Sequence, residues 1–427
     1  MESEGAALTD EKIMGMVAER GRWFLVIVGM IINLCLGTIY SWSVFVGPLT
    51  TYFTTDLGQA VTANEILLPF SVFLAFFAIT MPLTGKYIEK YGPRNIVIVG
   101  GILTGLGWFL SSFAGSVQWL YIFYGVIAGA GVGIAYGVPI TIAARWFPDR
   151  QGLAVGLTLL GFGFSAVLTA TIAGYLISSS GVMNTFRIFG VAFLIITVLL
   201  ALPLKFPRKN WKPAGWKPAS PAPGEAVKCE LNREEMVRTR SFYALWACYF
   251  IGCLAGLTAI GISKPAGVEV GIEAALATTL VGVFAVFNGL GRPVFGSLTD
   301  KLTPRNTAVL SFILIGLAVL LLIVIPSVPV YIISFALLWG CLGGWLAIAP
   351  TACGCYYGTC DYPRNYGVLF LAYGAGGIFG PQLAGFIKTS TGSYLGVFPY
   401  VLVLALVGIA ISSTLLRPPK APVEQIE

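Results

Sequence analysis

The sequence contains no histidine and little charge: Asp, Glu, Lys and Arg together make up 11% of its 427 residues. Water-soluble domains carry about 25% charged residues, so this chain cannot cover a water-facing surface of ordinary composition. It also has no paired Cys-x-x-Cys motif and no nucleophile–base pair, the arrangements on which metal sites and covalent catalysis depend. We therefore expect no enzymatic activity, no cofactor and no bound metal.

The eight cysteines do not indicate a disulfide framework, because Cys35, Cys248, Cys253 and Cys341 lie inside apolar segments. Cys353, Cys355 and Cys360 cluster near the end of one such segment, where a metal site is conceivable. Since no histidine is present to complete a ligand set, we expect small buried thiols at these positions rather than metal ligands.

Apolar residues make up 57% of the chain, and they fall into long runs. A bilayer-spanning helix needs about 20 mainly apolar residues, and twelve runs reach that length. They lie near residues 23–48, 63–85, 95–115, 118–144, 152–178, 185–205, 242–264, 273–298, 306–325, 328–352, 364–388 and 394–416. The runs predict an all-α membrane protein with twelve transmembrane helices.

The segment 206–240 separates the sixth run from the seventh. It is rich in proline, lysine and arginine and has no apolar run. We interpret it as a cytoplasmic linker between two six-helix bundles, formed by residues 1–205 and 241–427.

Lysine and arginine mark one side of the predicted bundle. They concentrate before the first span, after the even-numbered spans and in the linker, whereas the loops 49–63 and 266–272 contain none. By the positive-inside rule both termini and the linker are cytoplasmic, and we place the protein in the cell (inner) membrane. The exceptions near the ends of helices are Arg187, Lys264 and Lys388.

The net charge of +7 follows from this loop topology, so we expect no nucleic-acid partner. The expected surroundings are the lipid bilayer, and the expected state is a monomer.

The two halves of the chain share a loop motif. After the second span the sequence reads Gly85-Lys-Tyr-Ile-Glu-Lys-Tyr-Gly-Pro-Arg-Asn95; 211 positions later it reads Gly296-Ser-Leu-Thr-Asp-Lys-Leu-Thr-Pro-Arg-Asn306. Two six-helix halves of this kind are a parallel repeat, and such transporters bind their substrate near the midplane between the halves.

This motif resembles the loop signature of the major facilitator superfamily, and the resemblance covers the chain from Arg22 to about Arg417. It implies that the charged loop residues hold helix ends together on the cytoplasmic side and gate alternating access. The matching residues are Glu89, Lys90, Arg94, Asp300 and Arg305. The alternative is a loop that only sets topology, but an acid at the same point of both halves serves no such need.

Four further motifs, in the same order along the chain, resemble the oxalate:formate antiporter family and the related monocarboxylate porters. They are Gly37-Thr-Ile-Tyr-Ser-Trp42, Ala130-Gly-Val-Gly-Ile-Ala-Tyr-Gly137, Arg145-Trp-Phe-Pro-Asp-Arg-x-Gly-Leu-Ala154 and Phe287-Asn-Gly-x-x-Arg-Pro293. The resemblance implies transport of a small carboxylate and does not fix which one.

Arg292 stands in an otherwise uncharged run from Ala274 to Leu298. An ionised residue in a membrane span is costly unless it is paired or faces a wet cavity, and it is functional by default. A guanidinium can hold a carboxylate with two hydrogen bonds, and the resemblance implies this role. The alternative is a structural arginine bonded to helix carbonyls or to the loop of Asp300; we favour substrate binding.

The resemblance also reveals a difference from the oxalate exchangers. Where their eleventh span has a lysine that supplies a second positive charge, this sequence has Tyr373, aligned through residues 372–380. One fixed cation suits one carboxylate, so the difference favours a monocarboxylate over oxalate. Lys264 could supply a second charge, although snorkelling to the interface is the simpler interpretation.

Several polar and aromatic residues could line the site. Tyr40, Tyr136 and Tyr373 lie in mid-span near glycines and match positions of the family, and Asn33 and Asn288 are amides that could bond substrate or a neighbouring helix. Further aromatic residues, each more often an anchor or a core residue, are Trp42, Tyr124, Trp339 and Trp345.

The proton carrier is the open question. Animal monocarboxylate porters have an aspartate four residues before the matching arginine, where this sequence has Asn288. Coupling persists if Arg292 binds only a substrate that brings its own proton. We expect symport of a proton with a monocarboxylate, lactate being favoured over pyruvate, formate and acetate; oxalate/formate-type anion exchange is the alternative.

Overall fold

The computed structural model describes residues 11–208, 211–213, 231–358 and 361–419. Within these ranges, twelve helices are long and apolar enough to cross a bilayer, so the predicted number of spans is confirmed. They are α1 (Ala18–Asp56), α2 (Ala63–Tyr91), α3 (Pro93–Ser111), α4 (Val117–Trp146), α5 (Gln151–Ser180), α6 (Val182–Ala201), α7 (Arg240–Glu269), α8 (Ala274–Leu302), α9 (Pro304–Val324), α10 (Val328–Tyr357), α11 (Tyr362–Thr391) and α12 (Leu395–Thr414).

The first helix begins earlier than the apolar run predicts, because a small hairpin precedes it. Strands β1 (Lys12–Ile13) and β2 (Met16–Val17) pair in antiparallel fashion. The two residues between them, Met14 and Gly15, have φ angles of 51° and 80°, as a two-residue hairpin turn requires. The buried side chain of Ile13 packs against the first turn of α1 at Gly21.

The repeated loop motif has a conformational basis in both halves. Gly92 ends α2 with φ 79° and ψ 156°, and Thr303 ends α8 with φ 78° and ψ 152°. Each is followed by a proline at the first position of the next helix, where proline is favoured. This backbone region suits glycine and strains any residue with a Cβ, so the second copy of the turn stores strain at Thr303.

The basic side of the bundle carries the loop motifs and the start of α1. There Arg22 donates two hydrogen bonds to the Asp149 carboxylate, at 2.5 and 2.9 Å, and one to the Trp146 carbonyl at 3.2 Å. Burial alone would raise the pKa of Asp149, but these hydrogen bonds and the charge of Arg22 outweigh it and lower that pKa. The pair ties the start of α1 to the loop between α4 and α5.

The contacts between the first half, α1–α6, and the second half, α7–α12, are concentrated in three helix pairs. Helix α2 packs on α11, α5 packs on α8, and residues 42–51 of α1 pack on α7. Small residues make the close approach possible: a Cβ added to Gly163 would lie 2.9 Å from the Cα atom of Gly289. The predicted boundaries at residues 205 and 240 stay a prediction, and much of the linker lies outside the described residues.

Candidate functional site

Arg292 lies in α8 at the contact with α5, and only 8% of its surface is exposed. Its Nη1 atom donates a hydrogen bond of 2.9 Å to the carbonyl of Leu159. Its guanidinium carbon lies 6.0 Å from the ring centre of Phe162. Among the described residues, its Nε and Nη2 atoms have no hydrogen-bond partner. The guanidinium therefore bridges the two halves and still offers two N–H donors.

The three tyrosines singled out by the sequence lie close together beside this arginine. The hydroxyls of Tyr40 and Tyr373, on α1 and α11, are hydrogen-bonded at 3.1 Å. The ring of Tyr136 on α4 packs edge-on against Phe162 at 5.0 Å. Arg292 interacts electrostatically with the hydroxyls of Tyr40 and Tyr136, and the Tyr136 hydroxyl lies near enough to the guanidinium for a side-chain hydrogen bond. Both halves of the chain thus contribute to one polar centre.

Further aromatic rings complete the enclosure. Phe77 packs against Tyr136 at 5.1 Å and against Tyr373 at 5.8 Å, and Phe370 stacks on Tyr373 at 5.0 Å. Trp339 lies 6.1 Å from Tyr40. We call these residues the aromatic cage: Tyr40, Phe77, Tyr136, Phe162, Trp339, Phe370 and Tyr373.

Sequence reasoning missed Phe77, Phe162 and Phe370, because a phenylalanine in an apolar span is indistinguishable from one that faces lipid. A signal exists for Phe162, which stands between Gly161 and Gly163. The chain of α1 tightens into a 3₁₀ turn at Gly37–Ser41, and a Cβ on Gly37 would lie 2.5 Å from the Phe162 carbonyl. This close contact sets Tyr40 and Phe162 side by side.

The two membrane amides lie at helix contacts. Asn33 donates a hydrogen bond of 3.1 Å to the Thr158 carbonyl, and Asn288 donates one of 3.0 Å to the Trp339 carbonyl. Both Oδ1 atoms lack a hydrogen-bond partner within the described residues. Asn288 therefore supports α10 behind the cage and keeps one acceptor available, one helical turn from Arg292.

The charged loop residues lie at the basic side, and their described contacts stay within one half. Glu89 forms an ion pair with Arg145 of the same half, and Arg305 donates a hydrogen bond to the Ser413 carbonyl. The ammonium of Lys90 lies 5.1 Å from the ring of its neighbour Tyr91. Arg94 and Asp300 are exposed and, among the described residues, make neither hydrogen bonds nor ion pairs.

Other residues considered in the sequence lie apart from the cage. Trp42 and Tyr124 stack at 4.5 Å in a separate aromatic core of the first half. Trp345 packs with Phe312 and Tyr249. Of the clustered cysteines, Cys353 is buried, Cys355 is exposed, contrary to the expected burial, because it lies on the other face of the last turns of α10, and Cys360 lies outside the described residues.

The Major Facilitator Superfamily profile matches residues 29–356 and, in a second match, residues 245–427. The chain belongs to the Major Facilitator Superfamily. The match and the twelve helices confirm the predicted fold of two six-helix bundles and identify a multi-pass membrane protein of a transporter family.

Two relatives within the Major Facilitator Superfamily have names that refer to small carboxylates. The oxalate:formate antiporter of Oxalobacter formigenes is 30% identical over 378 residues, which cover 87% of this chain and 86% of the antiporter. Human monocarboxylate transporter 12 is 23% identical over 410 residues, covering 88% of this chain and 77% of that protein. These similarities confirm the resemblance read from the sequence motifs.

A solved structure shows the same fold. The bacterial homolog of the human lysosomal transporter Spinster superposes with a TM-score of 0.70 at 16% identity, covering 94% of this chain and 99% of that chain. At this identity the match describes the Major Facilitator Superfamily architecture and carries nothing about substrate.

Proposed function

We propose that this protein is a secondary transporter that moves a small monocarboxylate, with lactate favoured, together with a proton by alternating access. The observation that carries the proposal is Arg292, a buried cation beside a cage built from both halves, whose Nε and Nη2 atoms have no hydrogen-bond partner among the described residues. Two parallel N–H donors match the two oxygens of a carboxylate.

The cage suits a short organic acid. In the proposed complex, the carboxylate accepts hydrogen bonds from Nε and Nη2 of Arg292, and the carbon chain packs against the aromatic rings. The hydroxyls of Tyr40 and Tyr373 then face the oxygen on the second carbon. A hydroxyl or keto oxygen at that carbon can accept a hydrogen bond from these phenols, which acetate and formate, having no such oxygen, cannot do.

Proton coupling does not require an acid in the centre of the membrane. Within the described spans, every aspartate and glutamate lies in the first or last turn of its helix, at Glu19, Asp56, Glu65, Glu89, Glu269 and Asp300. We propose that the proton travels with the substrate, bound as the neutral acid or delivered with the anion, while Arg292 stays charged.

Anion exchange is the second candidate, and two observations favour it. The relative with 30% identity is named an oxalate:formate antiporter. In addition, the position four residues before Arg292 holds the amide Asn288, which cannot carry a proton. An exchanger needs only one fixed cation that is never left without an anion.

The remaining features of the proposal concern orientation and gating. The basic side faces the cytoplasm, with both termini there, in the cell membrane, and the protein acts as a monomer. Glu89, Lys90, Arg94, Asp300 and Arg305 gate the cytoplasmic opening by making and breaking contacts between helix ends.

Uptake of radiolabelled lactate into proteoliposomes tests the proposal and separates the two candidates. For symport, an inward proton gradient should drive accumulation in vesicles with no internal anion, and a protonophore should abolish it. If the protonophore does not reduce accumulation, and accumulation requires lactate or formate inside the vesicles, the protein is an anion exchanger and not a symporter. If neither condition gives uptake above empty vesicles, lactate is not the substrate.

A further inference from the structure

Lys264 is a cation of the membrane domain that the proposed site does not use. It lies in the last two turns of α7, on the side opposite the basic loops, and is half-buried. Three cations lie on that side within the described residues. Arg187 bonds Asn184 at 3.3 Å and lies over Phe113, and Lys388 bonds Glu269 at 3.2 Å and the Gly392 carbonyl at 2.6 Å.

Lys264, in contrast, makes no hydrogen bond, ion pair or ring contact with any described residue. The nearest acid along the helix, Glu269, is engaged by Lys388, by the Ser393 hydroxyl and by the Tyr394 amide. A half-buried ammonium without a counter-ion is unfavourable, so a cation retained at such a place is a functional site by default.

Lys264 lies on the face of α7 that is directed toward the contact between the halves. Cys253, on the same helix, interacts electrostatically with the cage hydroxyls of Tyr40 and Tyr373. Lys264 follows it by eleven residues, which places it on nearly the same helix face, about 17 Å farther from the basic side.

The neighbours of this face are helices of both halves rather than lipid. A Cβ on Gly261, three residues before Lys264, would lie 3.4 Å from the ring of Phe70 on α2 and 3.6 Å from Pro381 on α11. Residues 42–51 of α1 pack against α7 as well. Lys264 therefore lies where the closed contact between the halves ends and the side opposite the basic loops begins.

We propose that Lys264 is an outer capture site for small carboxylate anions, from which the substrate passes inward to Arg292. The inference rests on the proposed function and on the orientation given there. A positive charge at the mouth of a low-dielectric cleft raises the local anion concentration and the rate of association, and salt screens the effect. Lys264 thus acts on entry from outside and not on binding at the cage.

Labelled lactate uptake into right-side-out vesicles at low ionic strength tests this role. Lys264→Gln should raise the influx KM at least about threefold, and the difference from the unmodified protein should shrink in high salt. The matched control Arg187→Gln removes an exposed cation from the same side and should leave the KM unchanged. Uptake into inside-out vesicles, in which the substrate enters from the basic side, should keep its KM in both variants.

Chemical restoration of the charge separates this role from a merely structural one. Lys264→Cys should show the raised KM. A thiosulfonate that attaches an aminoethyl group should restore the original KM, whereas one that attaches a sulfonatoethyl group should raise it further. The unmodified protein, treated in the same way, controls for the exposed Cys355.

Two results separate the inference from the proposed function. An unchanged influx KM in Lys264→Gln, or no rescue by the aminoethyl group, would refute the capture site without affecting the proposal of lactate transport. Lys264 would then be a residue that snorkels to the interface. Absence of lactate uptake by the unmodified protein would instead overturn the proposed function, and the capture site with it.

Discussion

The guanidinium of Arg292 on α8 donates a hydrogen bond to the main-chain carbonyl of Leu159 on α5, across the boundary between the two halves. This carbonyl is a neutral group of the helix main chain. It is therefore a weaker hydrogen-bond acceptor for a guanidinium than a charged carboxylate would be. A bound anion would therefore compete with Leu159 for the same side chain. Substrate binding and the contact between α5 and α8 are coupled through this one residue.

The first prediction concerns the planar fork of Arg292. Arg292→Lys should lose most lactate uptake while still inserting in the membrane, because lysine keeps the charge but cannot form two parallel hydrogen bonds. Transport assays on reconstituted protein at matched protein amounts measure the loss. Arg187→Lys, an exposed arginine far from the cage, serves as the control. Near-normal uptake with unchanged KM in Arg292→Lys would remove it as the carboxylate anchor.

The second prediction concerns the number of charges in the cage. A second carboxylate would be buried without a counter-charge, which costs several kcal/mol, so oxalate should compete with labelled lactate at least roughly tenfold more weakly than pyruvate. Tyr373→Lys should narrow that gap by adding a cation, and should weaken lactate transport by removing an aromatic wall and the hydrogen bond to Tyr40. Equal competition by oxalate and pyruvate in the unmodified protein would refute the one-charge site.

The aromatic control for that experiment is Tyr373→Phe. It keeps the ring and removes only the hydroxyl that bonds Tyr40 at 3.1 Å. Oxalate should therefore remain a weak competitor in this variant. A gain of oxalate binding there would show that the hydroxyl, rather than the missing charge, excludes the second carboxylate.

The third prediction uses the two copies of the repeated turn. Thr303 holds a backbone conformation that is nearly restricted to glycine, with a cost of about 1–3 kcal/mol. Thr303→Gly should therefore raise the thermal unfolding temperature of the protein in detergent, and Gly92→Thr should lower it. Lower stability in Thr303→Gly would mean that side-chain contacts of Thr303 outweigh its backbone strain.

The fourth prediction concerns the partly buried pair of Arg22 and Asp149. Asp149→Asn should destabilise the protein by up to roughly 3 kcal/mol, because it leaves the buried charge of Arg22 with the longer, more exposed ion pair to Glu19 as compensation. Glu89→Gln, which breaks an exposed ion pair, should change the unfolding temperature far less. Unfolding followed by intrinsic tryptophan fluorescence measures both variants, and equal effects would contradict the assigned difference in burial.

The pH dependence of that pair has a defined sign. The pKa of Asp149 is lowered, so the pair stabilises the protein above the ordinary aspartate pKa of about 3.9. Its contribution disappears as the pH falls through the lower pKa of the folded protein. Stability conferred by Asp149 should thus be constant between about pH 5 and pH 8, and any change of uptake in that range must come from elsewhere.

Much of the architecture follows from the sequence because the bilayer imposes simple rules. Twelve apolar runs predicted the twelve helices, since each run had to reach the thickness of a membrane. The ends were less predictable: α1 starts at Ala18 because a hairpin supports it, and no hydropathy rule contains that contact. The strain at Thr303 was likewise invisible, because the motif shows residue types and not backbone angles.

The site was only partly predictable, for a different reason. Arg292 stood out because charge is rare in a span. Tyr40, Tyr136 and Tyr373 stood out because they lie in mid-span near glycines and match positions of the family that the motifs resemble. Phenylalanines do not stand out from the other apolar residues of a span. Whether they face a cage or lipid depends on the rotation of the helix. The bond between Arg22 and Asp149 joins residues 127 positions apart, and only the packing of α1 against the α4–α5 loop brings them together.

The lone guanidinium of Arg292 also determines how the membrane potential acts on the transport cycle. An empty carrier holds an uncompensated positive charge between its two openings, and a potential of roughly 100 mV is worth about 2.3 kcal/mol for one charge moved through the whole field. An inside-negative potential therefore favours the empty form in which Arg292 is accessible from the cytoplasm. A carrier loaded with a monoanion alone is neutral at this point and escapes that bias, whereas a carrier loaded with the anion and a proton keeps the charge of the empty form. The voltage sensitivity of the empty and loaded steps should therefore differ in anion exchange and be alike in symport.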